Sequence, residues 1–381
     1  MFRRDILRTL MGTLLAGWLR PNMPSAIGSM ATEDANAADE YRKMFGWTKD
    51  LPPGDSECLR KAATIEIDDQ RIGALVEKAR PVLEAIRKAA TIDQCRWGDE
   101  IVSSNDLGKG RLDTTNIYAM HVTCLSARRL AAAGQGREAL DDVFAGMKLA
   151  HRIGTGGLLI ARILECGGEV MAFQTLGRIL PGLDRATIGD LSRRLDDLPP
   201  PESASAVIGP ESRFILGSLR AKLAEAGPVI ERAKWGDLGF DDDETATLQR
   251  LTGGDRGRLL DHLDANGPAF AELARRLDLP RPGCRAALDE FAKDERSTHP
   301  IVAGFVESAW RVRHVVDRMR AIRAILRAGI ALVRDGELAF RAEHDPFGNG
   351  AFSLERRENG YLIRSALSGD AQPEVKLQIG D

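Results

Sequence analysis

Residues 158–180 read LLIARILECGGEVMAFQTLGRIL. Leu158, Leu159, Ile160, Ile163, Leu164, Val170, Met171, Phe173, Leu176, Ile179 and Leu180 cover most sides of a helix over about 157–180. A helix with so little polar surface belongs at the centre of a bundle, and Gly167-Gly168 let it bend or meet a close neighbour. Toward the N-terminus, Gly134-Gln135-Gly136 separates helices over about 113–133 and 137–152, which makes a helical hairpin. Earlier still, Ile72, Leu75, Val76, Ala79, Val82, Leu83 and Ile86 recur at three- and four-residue steps and predict one helix over 68–92, kinked at Pro81. A turn-rich gap runs from Gly98 to Gly110. Toward the C-terminus come a short helix to about Leu198, the stiff Pro199-Pro200-Pro201, and a helix over about 210–235. Shorter helices follow near 243–252, 255–264, 268–277 and 284–294, then a long one over about 300–335. Beyond Gly336 the pattern changes, and 351–367 alternates apolar and polar residues around Asn359-Gly360, the signature of a hairpin turning on that pair. The expected fold is all-α, an irregular helical-repeat-like bundle with a small C-terminal β-hairpin. The chain divides into an export signal and linker (1–37), a helical body (38–335) and a hairpin extension (336–381).

Composition narrows the function classes. Fifty-three Lys and Arg against 56 Asp and Glu leave a net charge of −3, so no global field draws in nucleic acid. After the first twenty residues no uninterrupted apolar run approaches the roughly 18 residues that a membrane-spanning helix needs. Cys58, Cys95, Cys124, Cys166 and Cys284 are odd in number and widely spaced, without CxxC pairs, so they read as small core hydrophobes and not as a metal cage or disulfide framework.

The N-terminus orders a basic segment, an apolar stretch from Thr9 to Leu19, and Arg20-Pro21. Arg3, Arg4, Ile6, Leu7 and Arg8 resemble a twin-arginine export signal, although Phe2 stands where Ser or Thr is usual. The resemblance implies transport of an already folded chain and a periplasmic or secreted location. Small residues suited to cleavage occur at Ser29-Met30-Ala31 and Ala35-Asn36-Ala37. The hairpin around Leu130 to Leu140, with Val143, Gly146 and Leu149, resembles the turn and second helix of a tetratricopeptide repeat. Gly136 replaces the usual aromatic, and no second copy follows at a period near 34. Asp345-Pro346-Phe347-Gly348 with Phe352, Arg356, Asn359-Gly360-Tyr361 and Ser365 resembles the C-terminal part of type II secretion pseudopilin-like proteins, without the pilin N-terminal helix. The order of Asn36-Ala37-Ala38, Tyr41-Arg42-Lys43, Cys95-Arg96-Trp97-Gly98, the 130–152 hairpin, the LDDLPP run and the DPFG ending is similar to a group of exported helical bacterial proteins with no assigned activity. These resemblances imply architecture and no mechanism.

Familiar catalytic signatures are missing from the sequence: there is no HExxH, no GxSxG and no phosphate-binding or dinucleotide-binding glycine pattern. The histidines at 121, 151, 262, 299, 314 and 344 include no pair four residues apart, so no metal site and no cofactor is expected. The run Asp241-Asp242-Asp243-Glu244 suits a helix start as well as a hard cation. Asp345 suits a turn as well as calcium. Arg96 and Trp97 precede a loop and are the candidate floor of a binding pocket, since Arg and Trp dominate interface energetics. The sequence therefore points to an exported binding or scaffolding protein. Its expected partner is another envelope protein or a peptide, and it has no membrane anchor beyond the signal peptide. The alternative is an extracytoplasmic enzyme, such as a hydrolase, whose site the fold assembles from carboxylates or from His121 and His151.

Overall fold

The structure, a computed structural model, describes residues 35–62, 70–98, 112–155, 157–225, 227–230, 235, 238, 240–367 and 374–380. The export signal with Arg3, Arg4 and Leu7, and the turn-rich gap after Gly98, lie outside the described residues. In chain order the helices are α1 (Ala37–Arg42), α2 (Pro53–Arg60), α3 (Gln70–Lys78), α4 (Arg80–Ala90), α5 (Thr114–Ala132), α6 (Gly136–Gly154), α7 (Leu159–Ile179) and α8 (Arg185–Asp196). They continue as α9 (Ile208–Ala224), α10 (Asp242–Thr252), α11 (Arg256–Asp264), α12 (Gly267–Leu277), α13 (Arg281–Glu295), α14 (Pro300–Asp335) and α15 (Glu337–Ala342). Strands β1 (Ser353–Arg357), β2 (Gly360–Arg364) and β3 (Lys376–Ile379) form one antiparallel sheet in the order β1-β2-β3. The fold is all-α with a small C-terminal sheet, as the periodicity predicts.

Three local expectations need correction. Residues 70–90 form two helices and not one kinked helix, because Pro81 has no N–H to continue the ladder and instead sits in the first turn of α4. The helix expected to reach Trp235 stops at Ala224. Beyond it the chain turns at Gly227-Pro228, and the Ile230 N–H donates to the Gly254 carbonyl at 2.8 Å. The hairpin turns on Glu358-Asn359, with Arg357 paired to Gly360, so Gly360 begins β2. Its φ of 151° belongs to glycine, and a methyl group there would overlap the Ile379 carbonyl of β3. The third strand, paired Ile363 to Leu377 and Tyr361 to Ile379, is absent from the sequence reading.

The chain divides into two compact units, and the second is discontinuous in sequence. The first comprises, among described residues, Ala204–Arg311. Here α12 packs between α9 and α13, and Leu248, Leu259, Leu263, Phe270, Leu273, Leu288 and Phe291 are buried. The acidic run opens α10 as a capping box: the Asp241 carboxylate accepts from the Glu244 N–H at 2.8 Å, and Glu244 accepts from the Asp241 N–H at 3.1 Å. That geometry accounts for the run as a helix start.

The second unit comprises Ala35–Gly98, Gly110–Ser203 and Val312–Asp381. The β extension thus shares a unit with the 35–203 helices. Its centre is the layer α5-α6-α7, in which each helix packs on the other two. Small residues set the spacing. A methyl at Gly146 of α6 would overlap the Thr123 hydroxyl of α5, and one at Gly168 of α7 would overlap Met120 and press on Ala150. Gly134 has another task, ending α5 in the left-handed conformation at φ 77°. Helix α6 also ties down the end of α4: the Lys148 ammonium donates to the Ala90 carbonyl at 2.8 Å, and Arg152 donates to the Ala89 carbonyl at 2.8 Å and to that of Ile92. These are cations placed at a helix C-terminus, where orphan carbonyls and the helix dipole favour them. The sheet lies against α7 and α14, at Gly177 beside Gln378 and at Gly329 beside Ile379. None of the five cysteines forms a disulfide, and all but the half-buried Cys95 are buried.

Candidate functional site

In the central helix α7, the charged residues Arg162, Glu165 and Glu169 interrupt the apolar surface before the last turn. Steps of three and four place them on one face. They face the C-terminal turn of α6, where His151 Nδ1 stands 2.9 Å from Glu165 Oε1. Arg162 donates one nitrogen to the other oxygen of Glu165 and a second nitrogen to Glu202, just past the triple proline. Arg323 of α14 fixes the start of that segment, donating to the carbonyls of Leu195 (2.9 Å), Leu198 (2.9 Å) and Pro199 (2.8 Å). A methyl group at Gly154 would overlap the Glu165 carboxylate, so the last turn of α6 is shaped around that side chain.

Burial grades the members of the cluster. Arg162 and Glu165 are 2% and 3% exposed, while His151 and Glu169 are half-buried and open toward solvent. Burial, reinforced by the charge of Glu165, pushes the Glu169 carboxyl up to about 7. The hydrogen bond to Glu165 holds His151 above its ordinary value, against the opposing effect of burial. Burial also pushes the neighbouring Cys166 thiol up, so it is no thiolate nucleophile. One ligand atom each from His151, Glu165 and Glu169 lies within 4.8 Å of the others. Among the described residues this is the group of His, Cys, Asp and Glu side chains that converges so closely.

The residues singled out in the sequence are placed elsewhere. Trp97 is buried, stacked on Tyr41 at 5.6 Å and Phe45 at 6.5 Å, and its indole N–H donates to the Arg152 carbonyl at 3.1 Å. Arg96 is exposed, and its backbone is clasped by Asn36, whose amide accepts from the Arg96 N–H at 2.8 Å and donates to the Arg96 carbonyl at 2.9 Å. The two side chains thus do not converge on one pocket. His121 lies against Tyr118, outside the His151 group. The Asp345 carboxylate accepts from the Ser365 hydroxyl at 2.9 Å and from the Phe347 and Ala366 N–H groups, which is the bonding of a turn. A cleft of about 260 Å³ between α8 and α14 is lined by Leu195, Asp196, Arg327, Ile330, Arg334 and Glu343, but Arg327 is already paired with Asp196 at 2.9 Å.

No known protein family, curated protein or solved structure matches the chain. What bears on function is therefore the cluster itself. A sequence search for paired histidines on one helix passes over it, because its nitrogen comes from one helix and its carboxylates from the next. The available signal was the Arg162, Glu165, Glu169 spacing inside the most apolar helix, since a charged residue in a buried segment is the informative exception.

Proposed function

We propose that this chain is an exported helical binding protein, periplasmic or secreted, whose ligand centre is the cluster of His151, Glu165, Glu169, Arg162 and Glu202. The observation that supports this is Glu169. It is a half-buried carboxylate of the central helix with no hydrogen-bond partner among the described residues, and a second carboxylate stands one turn away. Such a group works against folding, and an apolar residue in its place would pack with less cost. Side chains retained at the expense of stability mark functional sites. The export signal resemblance supports the location.

The alternative is an extracytoplasmic hydrolase. It draws support from the His151–Glu165 pair, in which a buried carboxylate fixed by Arg162 orients an imidazole that reaches solvent, the arrangement of a general base. The two readings part in one experiment. The full chain and its Glu169→Gln variant are melted against a panel of divalent cations, small carboxylates, phosphate and short peptides, and assayed on ester, peptide and phosphate-ester substrates. A ligand that raises the melting temperature of the wild type alone supports binding. Turnover abolished by His151→Gln moves the assignment to the enzyme. Equal shifts in wild type and variant, with no turnover, contradict both.

A further inference from the structure

We propose that His151, Glu165 and Glu169 bind a divalent transition cation of the manganese, iron(II) or zinc class. This rests on the cluster being a ligand centre, and it names the ligand. Two metal–ligand bonds of about 2.0–2.2 Å to one first-row ion separate neighbouring donor atoms by roughly 3–4 Å. The three donor atoms already lie within 4.8 Å of one another, so small side-chain movements close them around one ion. The donor set is one imidazole nitrogen and two carboxylate oxygens. Calcium takes six to eight oxygens and magnesium keeps most of its waters, whereas imidazole with carboxylate suits manganese, iron and zinc.

The surroundings fit an ion-binding carboxylate. Arg162 engages one oxygen of Glu165 and leaves the other directed at His151, so the ligand is oriented by a buried hydrogen bond of the kind that supports metal sites. Gly154 provides the room that Glu165 occupies. Glu169 has no hydrogen bond among the described residues to surrender, and the exposed edge of His151, at 39% side-chain exposure, gives an ion a route in. Without an ion, a proton lies between His151 Nδ1 and Glu165 Oε1. On binding, the cation takes that place: an imidazolium releases its Nδ1 proton to solvent, a neutral imidazole carries its one proton on Nε2 instead, and a protonated Glu169 releases its own, so charge and atoms balance.

The test uses the full chain, stripped with chelator and dialysed against Mn²⁺ or Zn²⁺. Metal content is read by mass spectrometry and affinity by calorimetry, with circular dichroism confirming that each variant is folded. The expected result is one ion per chain, with His151→Gln and Glu169→Gln each weakening binding by about tenfold or more. Mn²⁺ should also broaden the His151 imidazole resonances before those of His262 or His344. No retained ion, or equal affinity in wild type and both variants, overturns the metal assignment. If another member of the ligand panel still stabilises wild type over Glu169→Gln, the metal assignment alone has failed. If none does, the ligand centre falls with it.

Discussion

Gly154 and Glu165 show how one missing side chain positions another. Gly154→Ala would set a methyl group against the Glu165 carboxylate, and overpacking of this kind costs on the order of 1–3 kcal/mol. The carboxylate must then move off His151. Because that hydrogen bond is what holds the imidazole above its ordinary pKa, Gly154→Ala should lower the His151 titration midpoint toward the ordinary value, read by NMR. An unchanged midpoint would mean that Glu165 does not need the space. Trp97 carries the opposite lesson. An aromatic residue beside a loop suggests a binding surface, yet its ring stacks on Tyr41 and its N–H serves the end of α6. Arg152 joins the same assembly, donating to the Tyr41 hydroxyl at 3.0 Å. Burial pushes that phenol up to about 12, although the charge of Arg152 opposes the shift.

At the scale of elements, Gly360 tests the sheet. Gly360→Val places a branched side chain against the Ile379 carbonyl, so it should break β2–β3 pairing as well as the β1–β2 turn. The expected result is faster amide exchange across 353–364 and 376–379, with α5, α6 and α7 protected as before. Exchange unchanged at 376–379 would contradict the third strand's dependence on that glycine. Helix positions were legible in the sequence wherever a strong apolar period met a clear breaker, as at Gly134-Gln135-Gly136 and Pro199-Pro200-Pro201. The α3–α4 break was legible only as a kink, because Pro81 tolerates either a bend or a new first turn and tertiary packing decides between them. Strand β3 escaped notice because four residues, Lys376 to Ile379, carry too short an alternation to register without their partner. The cluster escaped for a related reason. Its spacing within α7 is local, but the approach of His151 depends on how α6 packs on α7, and no period in the sequence encodes that.

For the whole molecule, the twin-arginine resemblance yields an expectation about fate in the cell. Arg3→Lys with Arg4→Lys should hold the precursor in the cytoplasm, judged by fractionation; unchanged export would remove that route and leave general secretion open. A chain that crosses the membrane folded would carry its buried thiols and its ligand centre already formed, which agrees with five cysteines outside any disulfide. The central claim is that the His151 cluster is kept for a ligand and not for stability. With the Glu169 carboxyl raised to about 7 from an ordinary 4.5, the folded chain holds its proton more tightly than the unfolded chain. Stability from this group is therefore complete below pH 4.5 and lost as pH rises through 7, by about 3 kcal/mol. The decisive measurement is native-state amide exchange of α7 in chelator, comparing wild type with Glu169→Gln at pH 8 and pH 5. The expected result is a Glu169→Gln chain more stable than wild type at pH 8 by on the order of 1–3 kcal/mol, with the gap narrowing at pH 5. A variant less stable than wild type at pH 8 would make Glu169 a structural partner and contradict the account.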